Sequence, residues 1–258
     1  MKYLVTFSDK KYRYNQLLNK ASAKDFCSFD KILNFTVSDI DKKFFEANKF
    51  ILSHPRGSGY WLWKPYFILK MLDRASEGDM VLYCDSGSLF ISSVQPLLDL
   101  VDQFQQDVIP FGLELLEKQY TKRDAFVLMD CDEPKFTDTY QRLASFIVFR
   151  NSKASKDFVK EWLYHCRDKR ILTDSENTQG KNNYAEFEQH RHDQSIFSLL
   201  TKKYDLTVFR DPSQWGNSQI ENYRNSNYGQ ILNHTRHLEE QRRWHKLINR
   251  VVRKLTGK

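Results

Sequence analysis

The feature that most constrains the fold is an unbroken apolar run at 80–84 (MVLYC), which follows a Glu-Gly-Asp turn and ends at Asp85. Five apolar residues without alternation are typical of a strand that is covered on both faces, as in parallel sheets flanked by helices. In open α/β sheets, ligands bind beyond the carboxyl ends of the strands. The run therefore predicts a two-sided sheet with a candidate site at Asp85.

The rest of the chain alternates between strand-like and helical patterns. Strands are predicted at 3–7, 31–36, 108–112, 145–150 and 206–209, and helices at 15–24, 65–74, 94–105, 153–166 and from Asp193 onward. The polar segment 173–190 predicts a mobile loop. Alternating strands and helices indicate an α/β fold with a largely parallel sheet, and 258 residues suit one such domain.

Composition narrows the class of partner and the compartment. The net charge of +7 favours anionic partners without choosing among them. The cysteines are scattered and predict neither a disulfide framework nor a zinc site, which fits a reducing compartment. The apolar run at the N-terminus is too short for a signal peptide. No stretch reaches the roughly 18 apolar residues of a membrane span. We expect a cytoplasmic protein that is soluble or peripheral to a membrane.

Asp85 and Lys64 are the first candidates for chemistry. A carboxylate at a strand end suits a hard divalent cation that also grips phosphate oxygens, although an Asp before Ser-Gly also forms ordinary turns. Lys64 lies beside Trp63 at a predicted helix start, where free N–H groups already favour a diphosphate. Gly57 and Gly59 predict a hinge before it. The sequence holds neither a Walker loop nor a Rossmann fingerprint, so ATPase and dehydrogenase functions lack support.

The segment 57–90 (GSGYWLWKPYFILKMLDRASEGDMVLYCDSGSLF) orders a loop, a proline-started helix, a Gly-Asp turn, a buried strand and an acidic tip. This order resembles the helix, strand and D-x-D module of GT-A glycosyltransferases, especially bacterial enzymes that build lipooligosaccharide and capsular glycans. The resemblance implies a single GT-A (Rossmann-like) domain at 1–237. It also implies a divalent metal, usually manganese, between Asp85 and the donor diphosphate. Gly87 stands where the second aspartate belongs, so one ligand of the motif is missing.

A second segment that carries the resemblance is Asp193-Gln194 at the start of a predicted helix. In GT-A enzymes such a pair lies beside the anomeric carbon of the donor sugar. The resemblance implies that Asp193 is the general base of an inverting enzyme, or that Asp193 or Gln194 stabilises the oxocarbenium-like state of a retaining one. An alternative interpretation makes Asp193 a helix N-cap without any role in catalysis.

The resemblance implies the remaining site residues as well. GT-A enzymes commonly supply a C-terminal histidine to the metal, and His234 and His237, three residues apart, can share a helix face. The predicted metal ligands are Asp85, His234 and His237. The predicted contacts to the nucleotide and donor are Thr6, Ser8, Trp63, Lys64, Asp85, Ser86 and Gly87.

The C-terminal segment 238–258 carries its apolar residues at helical spacing and is rich in Arg and Lys. A basic amphipathic helix with Trp on its apolar side is typical of helices that lie on anionic membranes, although the same face could pack on the protein's own core. Membrane association suits an enzyme whose saccharide acceptor is carried on a lipid at the inner face of the cell membrane. We therefore expect sugar transfer from a nucleoside-diphosphate sugar, favoured as a UDP-sugar, in surface polysaccharide or lipooligosaccharide synthesis.

Three other functions are compatible with the sequence. A nucleic-acid-binding protein would explain the basic charge, but no zinc finger or RNP motif is present, so we expect no nucleic acid partner. A metal-dependent phosphohydrolase would use Asp85, Asp193 and the histidines, although two-metal sites need more ligands than D-S-G offers. A catalytically inactive GT-A fold that only binds its ligand would explain Gly87.

Overall fold

The computed structural model describes residues 1–235. A five-stranded sheet forms its centre, with the strand order β2-β1-β3-β6-β5, and a two-stranded sheet of β4 and β7 lies beside it. The strands are β1 (Lys2–Ser8), β2 (Lys31–Thr36), β3 (Met80–Cys84), β4 (Ser88–Phe90), β5 (Val108–Leu116), β6 (Tyr140–Arg150) and β7 (Leu232–His234). The predicted tail helix at 238–258, His237 and the domain boundary after 237 lie outside the described residues and stay predictions.

Four of the five central strands run in one direction. β1 pairs in parallel with both β2 and β3, while β6 is antiparallel to its neighbours β3 and β5. The carboxyl ends of β1 and β3 and the amino-terminal half of β6 therefore meet at the same edge of the sheet. This confirms the predicted α/β fold with a mostly parallel sheet.

Helices cover both faces of the sheet. They are α1 (Arg13–Phe26), α2 (Lys42–Ala47), α3 (Lys49–Leu52), α4 (Gly57–Tyr60), α5 (Trp63–Leu72), α6 (Gln95–Gln103), α7 (Glu117–Tyr120), α8 (Arg123–Leu128), α9 (Pro134–Thr137), α10 (Lys153–Cys166), α11 (Lys169–Leu172) and α12 (Asp193–Lys203). Among the described residues, no helix is long and apolar enough to cross a membrane.

The alternation of side chains along the central strands builds two separate cores. In β3, Val81 and Tyr83 belong to one core, with apolar residues of α5, α10 and α12, whereas Leu82 and Cys84 belong to the other, with α6 and the β4–β7 sheet. All four side chains are fully buried. The apolar run is explained by this arrangement, because both faces of β3 lie under helices or strands.

Three local predictions differ from the structure. The expected strand at 206–209 is reduced to one isolated bridge between Phe111 and Phe209. Pro65 is the third residue of α5 rather than its first. The segment 173–190 is irregular, as predicted, but it is anchored: the carboxylate of Asp124, which is fully buried, accepts hydrogen bonds from the backbone of Thr178 and Gln179.

Candidate active site

A cleft of about 680 Å³ opens at the carboxyl ends of β1 and β3. Its wall combines the end of β1, the turn α4, the end of β3 and the start of α12. The lining side chains include Ser8, Asp9, Lys11, Arg56, Trp63, Lys64, Asp85, Ser86, Arg191, His192, Asp193 and Gln194. These segments are far apart in sequence, and the sheet edge brings them together as expected for open α/β folds.

Asp85 lies in the wall of this cleft. Its backbone N–H donates to Ser145 O at 2.8 Å, which continues the pairing of β3 with β6, and its Oδ1 accepts a hydrogen bond from the Tyr83 hydroxyl at 2.6 Å. The side chain is 21% exposed. A rigid strand thus holds a carboxylate that still reaches solvent in the cleft.

Lys64 connects Asp85 to Asp193. Its Nζ lies 2.7 Å from Asp193 Oδ2 and 3.5 Å from Asp85 Oδ1, and it donates to Ala144 O at 3.1 Å. The lysine is 3% exposed. With both carboxylates ionised, this trio of Asp85, Lys64 and Asp193 carries one net negative charge. Part of the positive charge that was expected to meet a diphosphate is therefore already offset by protein carboxylates.

Asp193 is the first residue of α12, and the N-cap position belongs to His192. No side-chain capping hydrogen bond forms at this helix start, so the interpretation of Asp193 as a simple cap is wrong. The residue is 3% exposed. Burial raises the pKa of Asp193 from its ordinary 3.8 to about 6, against the opposing effect of the Lys64 ammonium and with a further rise from the Asp85 charge.

Gln194 also lines the cleft, and its side chain is oriented by buried polar residues. Its Nε2 donates to Gln141 Oε1 at 2.9 Å, and Gln141 Nε2 in turn donates to Glu117 Oε1 at 2.9 Å. Glu117 is fully buried and also pairs with Lys202 at 2.5 Å. This chain of hydrogen bonds fixes which way the amide of Gln194 points.

The residues predicted to contact the nucleotide divide into two groups. Ser8 and Trp63 line the cleft, and the Trp63 ring stacks on Phe7 with ring centres 3.8 Å apart. Thr6 does not line it, which corrects that prediction. Its side chain is fully buried because it lies within the central part of β1, whereas Ser8 ends the strand at the sheet edge.

Two of the three predicted metal ligands, Asp85 and His234, lie in the described part of the chain. His234 lies in β7, 6% exposed, with Nδ1 3.4 Å from Ser88 Oγ and its ring against Phe146, and it is not among the residues that line the cleft. His237 is outside the described residues. Within residues 1–235, no group of three or more His, Cys, Asp or Glu side chains is placed to hold a metal.

The segment expected to be a hinge is a left-handed turn. Five consecutive residues, Gly57 to Trp61, have positive φ. The turn is closed by the Tyr60 N–H, which donates to Arg56 O at 2.8 Å. The Ser58 hydroxyl donates to Oδ2 of Asp9, the residue directly after β1, at 2.8 Å. Left-handed backbone costs about 1–2 kcal/mol for each non-glycine residue. Surrounding contacts therefore hold this wall of the cleft in a conformation that the local sequence disfavours.

Sequence reasoning missed several lining residues. Arg56, Arg191 and Lys11 add positive charge to the cleft, and His192 forms part of its wall. A signal existed for two of them, because Arg191 and His192 directly precede the Asp193 segment. Nothing in the local pattern around Lys11 or Arg56 marks a binding residue.

The fold is similar to that of solved glycosyltransferases. Mouse xyloside xylosyltransferase 1, in its apo form, has a TM-score of 0.52 at 12% identity, over 91% of this chain and 97% of that chain. The bifunctional glycosyltransferase WbbM, also in its apo form, has the same TM-score and identity over 91% of this chain but 45% of its own length. No family model matches this chain, and no curated protein matches its sequence. At these identities the likeness shows the fold, which confirms the GT-A resemblance at that level.

Proposed function

We propose that this protein is a glycosyltransferase that moves a sugar from a nucleoside-diphosphate sugar to a saccharide acceptor. The observation that carries the proposal is the convergence of Asp85 and Asp193 on Lys64 at the strand-end cleft. The volume of about 680 Å³ is in the range of about 300–1,000 Å³ that is usual for small-molecule sites. The glycosyltransferase fold supports the same conclusion.

Charge suggests how the donor lies in the cleft. The trio of Asp85, Lys64 and Asp193 is net negative, so a diphosphate needs cations from elsewhere in the wall. Lys11, Arg56 and Arg191 supply them. We propose that the diphosphate lies among these three side chains, that the nucleotide contacts Ser8 and Trp63, and that the donor also contacts Lys64, Asp85, Ser86 and Gly87. A UDP-sugar is the proposed donor.

Asp193 and Gln194 are proposed to flank the anomeric carbon. If the reaction inverts, Asp193 takes the proton of the acceptor hydroxyl while that oxygen bonds to the anomeric carbon and the nucleoside diphosphate leaves. A pKa of about 6 suits this role, since the carboxylate is ionised at neutral pH and still accepts a proton. If the reaction retains configuration, the Gln194 amide or the Asp193 carboxylate faces the oxocarbenium-like sugar. The anomer of the product, read by proton NMR, distinguishes the two reactions.

A divalent metal, usually manganese, is the cofactor that the fold implies. The described residues offer Asp85 in the cleft wall, Gly87 in place of a second carboxylate, and His234 within the small sheet. These three positions do not fit a metal held by the described part of the protein, because they place only one carboxylate in the cleft wall, while the nearby carboxylates of Asp9 and Asp193 already bond Ser58 and Lys64. The roles proposed for Asp193 and Gln194 use the side chains of the protein alone.

The direct test is incubation with a panel of UDP-sugars and simple glycosides, followed by analysis of where the sugar goes. Transfer to a saccharide supports the proposal, whereas release of sugar to water alone indicates a hydrolase, and no turnover with nucleotide binding indicates an inactive binding protein. Asp85→Asn is expected to lower kcat/KM at least about 100-fold with an unchanged melting temperature. Asp99→Asn, on α6, is the matched control. Near-normal activity of Asp85→Asn would refute its role.

We further propose that the acceptor is carried on a lipid in surface polysaccharide or lipooligosaccharide synthesis, and that the basic segment 238–258 binds the anionic inner face of the membrane. Deleting 238–258 is expected to reduce sedimentation with vesicles that contain phosphatidylglycerol, and to leave transfer to a soluble acceptor intact. Equal sedimentation of the full-length and shortened proteins would contradict the membrane role.

A further inference from the structure

His192 is locked in one neutral form. Its Nδ1 lies 2.9 Å from Leu172 O. A carbonyl oxygen only accepts hydrogen bonds, so Nδ1 carries the ring proton and Nε2 presents a lone pair. Burial also lowers the pKa of His192 to about 4, which keeps the ring neutral at physiological pH. His192 is thus a fixed hydrogen-bond acceptor at Nε2.

Within residues 1–235, that acceptor has no hydrogen-bond partner. Nε2 is buried, and the residue is 2% exposed. Asp174 Oδ1 lies 3.8 Å from it, but a carboxylate oxygen is another acceptor, and it belongs to a half-exposed side chain that pairs with Arg56 at 3.0 Å. A buried polar atom without a partner costs free energy that native structures rarely tolerate. A group that donates to Nε2 would remove this cost.

The backbone of His192 carries a second cost. Its φ of 53° and ψ of −120° lie outside the regions that residues with a side chain prefer. The ring is nonetheless held on several sides, by Leu172 O and by the rings of Tyr60 and Trp61, whose centres are 5.0 and 5.4 Å away. Strain together with an unsatisfied acceptor at one rigidly held residue in a cleft wall is typical of a functional position.

His192 lines the main cleft next to Asp193, and the main cleft borders a second cavity of about 300 Å³. Arg56, Gln189 and His190 line both cavities. The other residues that line the second cavity are Lys122, Asp174, Ser175, Glu176, Asn177, Asn183 and Phe187. Amides and carboxylates that bond hydroxyls, beside an aromatic face, are the groups that recognise a sugar.

We propose that His192 Nε2 accepts a hydrogen bond from a hydroxyl group of the saccharide bound in the cleft, and so helps to select the sugar. This rests on the proposed glycosyltransferase function. A hydroxyl is able to donate to Nε2, and because Nε2 is buried, the half-exposed Asp174 side chain has to move aside to admit it. Both the donor sugar and the acceptor saccharide carry hydroxyls, and the experiment separates the two sources.

His192→Asn is the informative variant. The shorter amide can still donate to Leu172 O from the position of Nδ1, asparagine tolerates positive φ, and the acceptor at Nε2 is lost. His165→Asn, on α10 away from both cavities, is the matched control. Calorimetry measures binding of UDP, UDP-glucose, UDP-galactose and UDP-xylose, and kinetics measures transfer to a panel of methyl glycosides.

If the donor sugar supplies the hydroxyl, His192→Asn binds UDP as the wild type does and binds the preferred UDP-sugar about tenfold or more weakly. If the acceptor supplies it, donor binding is unchanged and the KM for the glycoside rises by a similar factor. Unchanged donor binding and unchanged KM, or an equal loss for UDP itself, would overturn the assignment of His192. A wild-type protein that binds none of these nucleotides would overturn the glycosyltransferase proposal and this one with it.

A measurement on the wild-type protein guards against a variant that fails to fold. In protein labelled with ¹⁵N-histidine, the Nε2 resonance of His192 is expected to move towards the shift of a hydrogen-bonded nitrogen when the tightest-binding UDP-sugar of the panel is added, alone or with a methyl glycoside. The Nδ1 resonance is expected to stay in place, since its bond to Leu172 O persists. An Nε2 resonance that does not move at saturating ligand would refute the proposal.

Discussion

Replacing Lys64 by methionine removes the cation that lies between Asp85 and Asp193. Methionine keeps most of the apolar volume, so the main change is in charge. Lys64 is 3% exposed and its Nζ is 2.7 Å from Asp193 Oδ2. Removing one partner of a buried ion pair costs about 3–5 kcal/mol, because the other charge is left without compensation. Out of about 5–15 kcal/mol for a whole domain, this is a large loss.

The loss should depend on pH in a defined direction. In the wild type, folding raises the pKa of Asp193 from 3.8 to about 6. Through this group alone, the free energy of unfolding is about 3 kcal/mol lower at neutral pH than in acid. Lys64 lowers this pKa, so without it the pKa rises further. When folding raises the pKa of an acid, its stabilising contribution is fully present below the pKa of the unfolded state. That contribution is lost as the pH rises through the pKa of the folded state. The penalty for Lys64→Met should therefore be largest near pH 8 and less than half as large near pH 5.

Urea denaturation at both pH values measures this penalty. The double variant Lys64→Met/Asp193→Asn removes the buried carboxylate as well and should recover at least about 2 kcal/mol of the loss at pH 8. Lys153→Met, which removes an exposed i,i+4 pair with Asp157, is the control and should show no measurable loss. A penalty that is the same at both pH values, without recovery in the double variant, would refute the view of Lys64 as the counter-charge of Asp193.

Three further predictions follow from the same geometry. Activity that needs ionised Asp193 should fall as pH decreases through about 6, which a profile of kcat/KM against pH measures; a flat profile down to pH 5 would exclude that requirement. Gly87→Asp should fold normally, because a Cβ there meets nothing within 4 Å, and should tighten manganese binding at least about tenfold by calorimetry; unchanged affinity would mean that this position does not face a metal. Gly59→Ala should destabilise the protein by more than about 2 kcal/mol in thermal unfolding, because its Cβ would lie 2.7 Å from Leu52 Cα. Gly78→Ala, also at positive φ but in open space, is the control and should lose only about 1 kcal/mol. Equal losses would show that the crowding at Gly59 is relieved.

The central strand and its acidic end could be predicted because their signal is local. A strand that is buried on both faces has a continuous apolar run in its sequence. The end of that run marks Asp85 even when the residues that contact it are unknown. The start of α12 at Asp193 was likewise visible in the helical spacing that follows it. The fold class followed from the order of such elements.

The contacts that define the site could not be predicted, since they join residues far apart in the chain. No local pattern shows that Lys64 pairs with Asp193, or that buried Asp124 anchors the backbone of Thr178. The two glycines at 57 and 59 are compatible with a hinge as well as with a left-handed turn, and only packing against Trp61 and Leu52 decides between them. The short strands β4 and β7 are stabilised by pairing with each other, and each has too few residues to show a strand pattern in the sequence.

The handedness of α4 also has a consequence for how the molecule assembles. An isolated peptide with this sequence would relax towards right-handed or extended conformations, because its non-glycine residues Ser58, Tyr60 and Trp61 prefer them. The turn is held by tertiary contacts, since Ser58 donates to Asp9, directly after β1, and α3 packs against Gly59. One wall of the cleft therefore depends on tertiary contacts, and we expect nascent or partly unfolded chains to lack a shaped cleft. Ligand binding should thus report completed folding rather than the mere presence of the sheet.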